Sequence, residues 1–259
     1  AYDESDAQLL VLIADICQDM LERRRSEQRM AFMAFNDPLT GLPNRALLMD
    51  RLRHGMAASQ RTDKVLALCY FDLDGFKPVN DRYGHQMGDR LLIELAQRLN
   101  ECIREGDTAA RMGGDEFVLL LVDLDDAMQG EMIVERLLQR IAQPFVIRGQ
   151  ALHVTASAGL TFFPIDNVDA KALMHHADEA MYLSKQQGKS RHSIYPPLLK
   201  QLNRRREHIL QELQNALRKG FLELYYYPRI DLATGQVVSV EALLRWNHPI
   251  RGLLASEYF

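Results

Sequence analysis

The sequence predicts an α/β fold of the α+β type, in which a mixed central sheet is flanked by helices and preceded by a long helix. Helix-like and strand-like segments alternate between residues 37 and 195, which is the pattern of helices packed on one sheet. Residues 65–72 form an almost continuous apolar run, as expected of a central strand buried on both faces. Gly113 and Gly114 separate two strand-like runs and predict a tight hairpin, because glycine tolerates the positive φ of hairpin turns.

A long helix is predicted over residues 6–35, at the start of the chain. Its apolar residues follow a four-three-four spacing, which fits either a coiled-coil seam or an amphipathic face. These residues are Leu9, Ile13, Ile16 and Met20. The helix ends before Pro38, because a residue that precedes proline is pushed out of the α region.

The next elements follow from apolar periodicity and from the positions of glycine and proline. Helices are predicted over residues 45–57, 88–103, 126–141 and 170–187. Strands are predicted over residues 65–72, 108–112, 117–122, 153–162 and 193–195. The predicted order is α-β-α-β-β-α-β-α-β, which gives one mixed sheet with helices packed on it.

A second region is expected after Pro196 and Pro197. Residues 198–219 have the pattern of a basic amphipathic helix, whose charges are expected to form a solvated face. Residues 222–227 and 237–244 predict strands, but too few residues follow to close a separate core. Since the chain also begins at alanine, we expect it to be a fragment of a longer protein.

The composition is that of a globular protein: of 259 residues, 47% are hydrophobic and 25% are charged, which argues against disorder. The net charge of −4 excludes a nonspecific nucleic-acid binder, so no nucleic-acid partner is expected. The apolar stretch at residues 9–13 is too short to cross a bilayer, and no membrane contact is expected of this fragment. Cys17, Cys69 and Cys102 show no zinc or redox spacing and suit a reducing, cytoplasmic location.

Acidic residues stand where two of the predicted strands meet turns. Asp72 ends the central strand, and Asp115 and Glu116 follow the two glycines of the hairpin. If the central strand pairs with the hairpin, Asp72 and Asp115 meet at one end of the sheet and repel each other unless a cation joins them. Mg²⁺ (or Mn²⁺) binds a couple of carboxylates together with phosphate oxygens and water, so a metal–nucleotide site is expected here.

The segment after the central strand supplies groups that suit a nucleotide. Backbone N–H groups after Gly75 and the ammonium of Lys77 can cradle a polyphosphate, although an ordinary Asp-Gly turn with a solvated lysine has the same residues. Asn80 and Asp89 offer the amide and the carboxylate that a guanine edge requires. An acid that interacts with the helix dipole also explains Asp89 and, from the residues alone, is the simpler interpretation.

Five motifs together resemble the GGDEF family of diguanylate cyclases. They occur in order at residues 37–45, 71–77, 84–89, 113–117 and 177–189, and the resemblance covers about residues 36–196. It implies a palm-like fold related to nucleotide cyclases and polymerases. It also implies condensation of two GTP molecules into cyclic di-GMP with release of pyrophosphate. Because one site holds one GTP, it implies a homodimer for catalysis, which the first helix is well placed to control.

The resemblance assigns roles by motif position. The implied metal ligands are Asp72, the Leu73 carbonyl, Asp115 and Glu116, and the implied catalytic residues are Asp115, Glu116 and Lys77. Guanine would be bound by Asn80 and Asp89, and the phosphates by the Phe76 backbone, Lys77, Lys185 and Lys189. Lys189 stands where the family has arginine, which keeps the charge but loses the fork geometry and implies weaker phosphate binding.

An inhibitory product site is also implied by the resemblance. The spacing of Arg104 and Asp107 to Gly113 matches the family's site for cyclic di-GMP, and Arg111 falls at its third position. The arginines would bind phosphates and guanine edges. From the residues alone, a helix cap and a surface charge would be the better explanation of Arg104 and Asp107.

Four parts are expected along the chain: a signalling helix at residues 1–35, the cyclase domain at 36–196, a linker helix at 197–220 and an incomplete domain at 221–259. The first weakly resembles the last helix of a GAF sensor domain. The last resembles the opening of an EAL domain, a TIM-like barrel that hydrolyses cyclic di-GMP, with Glu241 at a metal-ligand position and Tyr227 in place of the usual glutamine. The alternative to a cyclase is a module that binds GTP or cyclic di-GMP and regulates an attached EAL domain.

Overall fold

The computed structural model describes residues 32–256, together with Gln18, Met20, Arg23, Arg24 and Met30. Most of the predicted first helix, including Leu9, Ile13 and Ile16, lies outside the described residues. The chain forms two compact units, which divide after Leu198. The first unit carries all the residues that the sequence analysis assigns to GTP binding and to the synthesis of cyclic di-GMP.

The described part of the first unit alternates between helices and strands. Residues 32–35 are helical, and the helices that follow are α1 (Arg45–Thr62), α2 (Phe76–Tyr83), α3 (His85–Cys102), α4 (Ala127–Ile141) and α5 (Ala170–Gln186). The strands are β1 (Val65–Asp74), β2 (Thr108–Gly113), β3 (Glu116–Leu124), β4 (Phe145–Ile147), β5 (Gln150–Leu152), β6 (Thr155–Phe163) and β7 (His192–Ile194).

Strand β1 is the centre of a five-stranded mixed sheet with the order β2-β3-β1-β6-β7. It pairs antiparallel with β3 on one side and with β6 on the other, whereas β7 joins β6 in parallel. Leu66, Leu68 and Phe71 in β1 are completely buried, because helices cover both faces of the strand. The predicted mixed sheet with a buried central strand is therefore confirmed.

The two faces of the sheet carry different helices. Helices α1 and α5 share a buried apolar cluster with Leu66 and Leu68. Helix α4 covers the opposite face, where Gly130 lies against Ala67 and Phe162. Since successive side chains of a strand point to opposite faces, even-numbered residues of β1 point towards α1 and α5. Asp72 is therefore on the side of α5.

Three features of the first unit differ from the sequence prediction. Helix α2 and the short hairpin β4–β5 were not expected, and the proposed turn after Gly75 is in fact the beginning of α2. Gly75 has φ 87° and occupies the N-cap of α2, a conformation that suits glycine. The strands of the short hairpin have three residues each, too few for a periodic signal.

The second unit contains an antiparallel three-stranded sheet in the order β10-β9-β8, and its strands are β8 (Leu222–Ile230), β9 (Val237–His248) and β10 (Gly252–Ala255). Tyr227 in β8 pairs with Glu241 in β9. Helix α6 (Pro196–Lys219) precedes this sheet and begins at the prolines that were expected to form a boundary. Proline fits the first turn of a helix, because the N–H groups of that turn have no intrahelical acceptor. Within the described residues, no helix is both long enough and apolar enough to cross a bilayer.

Candidate active site

Strand pairing brings the predicted acids together at one end of the sheet. Asp72 in β1 is the direct partner of Glu116 in β3 in the antiparallel register. The N–H of Leu73 donates a hydrogen bond to the carbonyl of Asp115, at 3.3 Å. The central strand thus pairs with the Gly-Gly hairpin, as the sequence predicted, and Asp72, Asp115 and Glu116 come together at one end of the sheet.

This cluster of negative charge is partly balanced by a lysine from α5. The ammonium of Lys185 lies 2.8 Å from Oδ1 of Asp72, whose side chain is only 14% exposed. Burial is the main cause that raises the pKa of Asp72; the bond from Lys185 opposes it, and the charges of Asp115 and Asp74 add to it. The two neighbouring aspartates therefore disfavour the ionised form of Asp72.

The carboxylates fit a hard divalent cation that is shared with a phosphate. In the described part of the chain, no group of three or more His, Cys, Asp or Glu side chains is arranged to hold a metal ion by itself. Mg²⁺ usually keeps several waters and binds only one or two carboxylates together with substrate phosphates. Asp72 and Asp115, whose charges act on each other at this end of the sheet, supply two such carboxylates, and Glu116 on the adjacent strand offers a further oxygen donor.

Glu116 is held by a residue that the sequence analysis did not single out. The hydroxyl of Tyr70 donates a hydrogen bond to Oε2 of Glu116, at 2.9 Å. Burial and the hydrogen bond to Glu116 raise the pKa of Tyr70, so the phenol stays protonated and remains a donor. The signal in the sequence was the alternation of β1, which puts Tyr70 on the same face as Asp72.

A second part of the site lies between helices α2 and α3. Oδ1 of Asn80 is buried and has no hydrogen-bond partner within the described protein. It lies over Gly88, where a Cβ would come within 1.9 Å of that oxygen. Asp89 follows Gly88 and is exposed. A buried amide oxygen without a donor costs free energy, so this pair of helices is suited to accept N–H groups from a ligand.

The predicted phosphate-binding residues flank the acids from two sides. Lys77 is an exposed residue in the first turn of α2, directly after buried Phe76. Lys185 is in the last turn of α5, and Lys189 follows that helix in a loop, with φ 62°. The two lysines near α5 and the lysine of α2 thus come from two elements that both adjoin the C-terminal end of β1.

Two of the residues assigned to the product site, Arg104 and Asp107, differ in the exposure of their side chains. Arg104 is 55% exposed, but the Asp107 side chain is only 2% exposed. Its two carboxylate oxygens accept the backbone N–H groups of Arg104 (3.1 Å) and Val122 (3.1 Å). Asp107 therefore shapes the loop that presents Arg104, and its carboxylate is occupied.

Arg111 is not next to Arg104 and Asp107. It lies three residues beyond Thr108 in β2, about 10 Å along an extended strand. Its Nη1 donates to both carboxylate oxygens of Asp37 (2.7 and 2.9 Å), and its Nε and Nη2 donate to the carbonyl of Gly114 (3.1 and 2.8 Å). The guanidinium would have to leave Asp37 to bind a ligand.

Two family models match the chain in sequence. The model described as "Diguanylate cyclase, GGDEF domain" matches residues 34–191, which is more than half of the chain. The model described as "EAL domain" matches residues 210–259. The two matched stretches follow one another in the order that the sequence motifs predicted.

Curated relatives and a solved structure agree with the family models. The bifunctional diguanylate cyclase/cyclic di-GMP phosphodiesterase MucR of Pseudomonas aeruginosa is 38% identical over 259 residues, covering 96% of this chain and 38% of the relative. The cyclic di-GMP phosphodiesterase PdeR of Escherichia coli is 35% identical over 236 residues, covering 91% of this chain and 35% of the relative. The chain thus spans little more than a third of the length of these relatives. The crystal structure of the coiled coil and GGDEF domain of DgcB from Caulobacter crescentus, in complex with c-di-GMP, matches with a TM-score of 0.60 at 25% identity, over 72% of this chain and 98% of that chain.

Proposed function

Because this chain belongs to the GGDEF family of diguanylate cyclases, we propose that it condenses two GTP molecules into cyclic di-GMP and releases two pyrophosphates. The observation that carries the proposal is the pairing of Asp72 with Glu116 at the sheet end, beside Asp115 and Lys185. Such a cluster would not stabilise a hydrophobic core, because adjacent carboxylates repel each other. A nucleotide triphosphate with a divalent cation gives each of these groups a partner.

Different residues of the proposed site bind the metal ion, the phosphates and the guanine base. Asp72, Asp115, Glu116 and the Leu73 carbonyl would hold Mg²⁺ or Mn²⁺, whose chemistry is to neutralise charge at the phosphates and to polarise them. Lys77, Lys185 and Lys189, with the Phe76 backbone, hold the β- and γ-phosphates. The Oδ1 of Asn80 and the carboxylate of Asp89 accept hydrogen bonds from guanine. These lists follow the family's motif positions, and the buried oxygen of Asn80 supports the guanine assignment.

Glu116 is the residue that we propose to act on the attacking hydroxyl. Its Oε2 is fixed by Tyr70, so the carboxylate cannot rotate freely away from the sheet end. The 3′-hydroxyl that attacks the α-phosphate comes from the GTP on a second protomer, because each protomer holds one nucleotide. Catalysis therefore requires a homodimer, and most of the acceleration comes from positioning and charge neutralisation.

The direct test is to incubate the purified chain with GTP and Mg²⁺ and to separate the products by chromatography. We expect one cyclic di-GMP for every two pyrophosphates, and no product when EDTA removes the metal ion, since the carboxylates and phosphates would then repel. GTP binding without any cyclic di-GMP would contradict the cyclase. Binding alone would instead support the alternative, a module that controls an attached EAL domain; the match of residues 210–259 to that domain and the relative named a phosphodiesterase favour this as the second candidate.

Product inhibition is the second functional proposal. Arg104 is 55% exposed on a loop that Asp107 holds from inside, and its Nε lies 3.8 Å from the Asp107 carboxylate. We propose that this exposed guanidinium binds the phosphates or guanine edges of cyclic di-GMP. Arg111 belongs to the proposed site by motif position and joins it only if the Asp37 contact opens. We expect Arg104→Ala to raise the inhibition constant for cyclic di-GMP by about tenfold or more, the loss of one or two charged hydrogen bonds.

The matched control for that measurement is Arg53→Ala, which removes an exposed arginine from α1. Initial rates are measured with increasing cyclic di-GMP for both variants and for the unmodified chain. Equal inhibition of Arg104→Ala and Arg53→Ala would disprove the assignment of Arg104.

The proposed organisation keeps four parts: a signalling helix at residues 1–35, the cyclase domain at 36–196, a linker helix at 197–220 and the start of an EAL domain at 221–259. In the last part, Tyr227 in β8 pairs with Glu241 in β9. We propose that the reaction takes place in the cytoplasm.

A further inference from the structure

Asp74, the last residue of strand β1, makes hydrogen bonds to two other segments of the cyclase unit. The hydroxyl of Ser157 donates to both of its carboxylate oxygens, at 3.0 and 2.8 Å. The hydroxyl of Thr155 donates to Oδ2 at 3.2 Å, and the backbone N–H of Ser190 donates to the same oxygen at 3.1 Å. Both carboxylate oxygens are therefore used within the protein, and the contacts tie β1 to β6 and to the loop after α5.

The loop that Asp74 contacts has an unusual backbone. Gly188, Lys189 and Ser190 follow one another with φ of 113°, 62° and 51°. Lys189 and Ser190 are in the left-handed region, which side chains other than glycine disfavour, so the surrounding contacts must hold them there. The N–H of Lys189 donates to the Ser184 carbonyl at 3.1 Å, and the bond from Ser190 to Asp74 holds the next residue.

The same stretch of chain is attached to β1 at two points. Lys185 binds Asp72 at 2.8 Å, and Ser190 binds Asp74 at 3.1 Å. Asp72 and Asp74 are two residues apart and lie on the same face of the strand. The backbone of Lys189 is thus fixed between two contacts to the strand that ends in the acidic cluster. A lysine side chain is flexible and carries a point charge, so the position of its backbone largely determines where its ammonium can reach.

We propose that Asp74 is a positioning residue, which fastens the loop of Lys189 to β1 and so directs the Lys189 ammonium to the phosphates of the bound nucleotide. The inference rests on the proposed function, since it takes the nucleotide site as given. It adds a role that neither the motif positions nor the acidic cluster assigns. The oxygens of Asp74 accept hydrogen bonds from Thr155, Ser157 and Ser190, which is the role of a group that holds other segments in place.

Asp74→Asn is the principal test, because asparagine keeps the size and loses the charge and one acceptor. We expect the KM for GTP to rise by about tenfold, the loss of one charged hydrogen bond, while kcat falls less than about threefold. The affinity for inorganic triphosphate, measured by calorimetry, should fall by a similar factor, whereas the affinity for guanosine should stay the same. The control is Asp63→Asn, an exposed residue at the C-cap of α1 with φ 55°, where asparagine is well tolerated.

A double-mutant cycle separates positioning from a general loss of structure. If Asp74 acts through Lys189, Asp74→Asn should not weaken triphosphate binding further in a Lys189→Ala background. Additive effects of the two changes, or a loss of kcat with an unchanged KM, would overturn the proposal. Should Asp74→Asn fail to fold, Ser157→Ala removes one donor to Asp74 and should shift triphosphate binding in the same direction; unchanged binding would then reject the inference.

The binding measurements also separate this inference from the proposed function. A chain that makes no cyclic di-GMP but loses triphosphate affinity in Asp74→Asn would contradict the cyclase and support the positioning role. An active chain in which Asp74→Asn and Asp63→Asn behave alike would support the cyclase and contradict the positioning role.

Discussion

Replacing Asp72 by asparagine is expected to lower the turnover of GTP to cyclic di-GMP by at least about a hundredfold, the usual cost of removing one preorganised electrostatic group from an active site. Asp72 is the partly buried carboxylate that lies opposite Glu116 and contacts Lys185. Asparagine keeps the shape but no longer supplies a negative charge for a divalent cation. The measurement is the initial rate of cyclic di-GMP formation at saturating GTP and Mg²⁺.

The same change should not reduce the stability of the fold. Burial, opposed by Lys185 and strengthened by Asp115, raises the pKa of Asp72 above its unfolded value. A carboxyl group with a raised pKa disfavours folding once pH rises above the unfolded value of 3.8, because the unfolded chain ionises more readily. At neutral pH, we therefore expect Asp72→Asn to unfold in urea at the same or a higher concentration than the unmodified chain.

These two outcomes together distinguish a functional carboxylate from a structural one. Asp63→Asn is the control, since it removes an exposed carboxylate at the end of α1. Turnover of Asp72→Asn within threefold of that control would contradict the proposed metal site. Loss of stability together with turnover would indicate instead that Asp72 is chiefly a partner for Lys185.

Replacing Gly159 by alanine is expected to cost about 3 kcal/mol or more of the free energy of unfolding, at the upper end of overpacking effects. Gly159 is the point where β6 meets α5. A Cβ there would lie 2.0 Å from the backbone N of Met181 and 2.1 Å from the carbonyl oxygen of Ala177. Backbone atoms of a helix cannot turn aside as a flexible side chain can, so the helix and the sheet would have to separate.

Urea denaturation of the purified chain measures this effect, and Gly106→Ala is the matched control. A Cβ at Gly106 would meet only a side-chain carbon of Val122, at 3.7 Å, which is ordinary contact. Equal loss of stability in the two variants would show that the close approach of α5 to β6 does not make a side chain at Gly159 unfavourable. Because α5 also carries Lys185, we expect Gly159→Ala to weaken triphosphate binding as well.

The local sequence pattern was sufficient to predict most helices and strands, but not the short ones. The apolar run of β1 and the Gly113–Gly114 turn predicted the central strand and the hairpin, because these signals lie within a few residues of each other. Helix α2 escaped prediction because its eight residues begin after Gly75 and include Pro78, both of which suggest a turn. Proline is acceptable there because it lies in the first turn of the helix.

The candidate active site was likewise predicted only in part. Motif positions gave the acids and lysines, but they gave no indication that Tyr70 holds Glu116 or that Asp74 holds the Lys189 loop. These contacts join residues that are 46 and 116 positions apart in the chain. The alternation along β1 showed only that Tyr70, Asp72 and Asp74 share a face, and not what that face meets.

The amino-acid sequence by itself determined the order of the elements, the acids at the strand ends and the family to which the chain belongs. Only the tertiary structure decided which groups are available: it buries the carboxylate of Asp107, commits Arg111 to Asp37 and leaves the buried oxygen of Asn80 without a partner. The physical reason is that periodicity and turn chemistry act over a few residues, whereas burial and hydrogen-bond partners depend on strand register and helix packing between distant segments. A motif therefore names a chemical group, and the fold determines whether that group is free to bind.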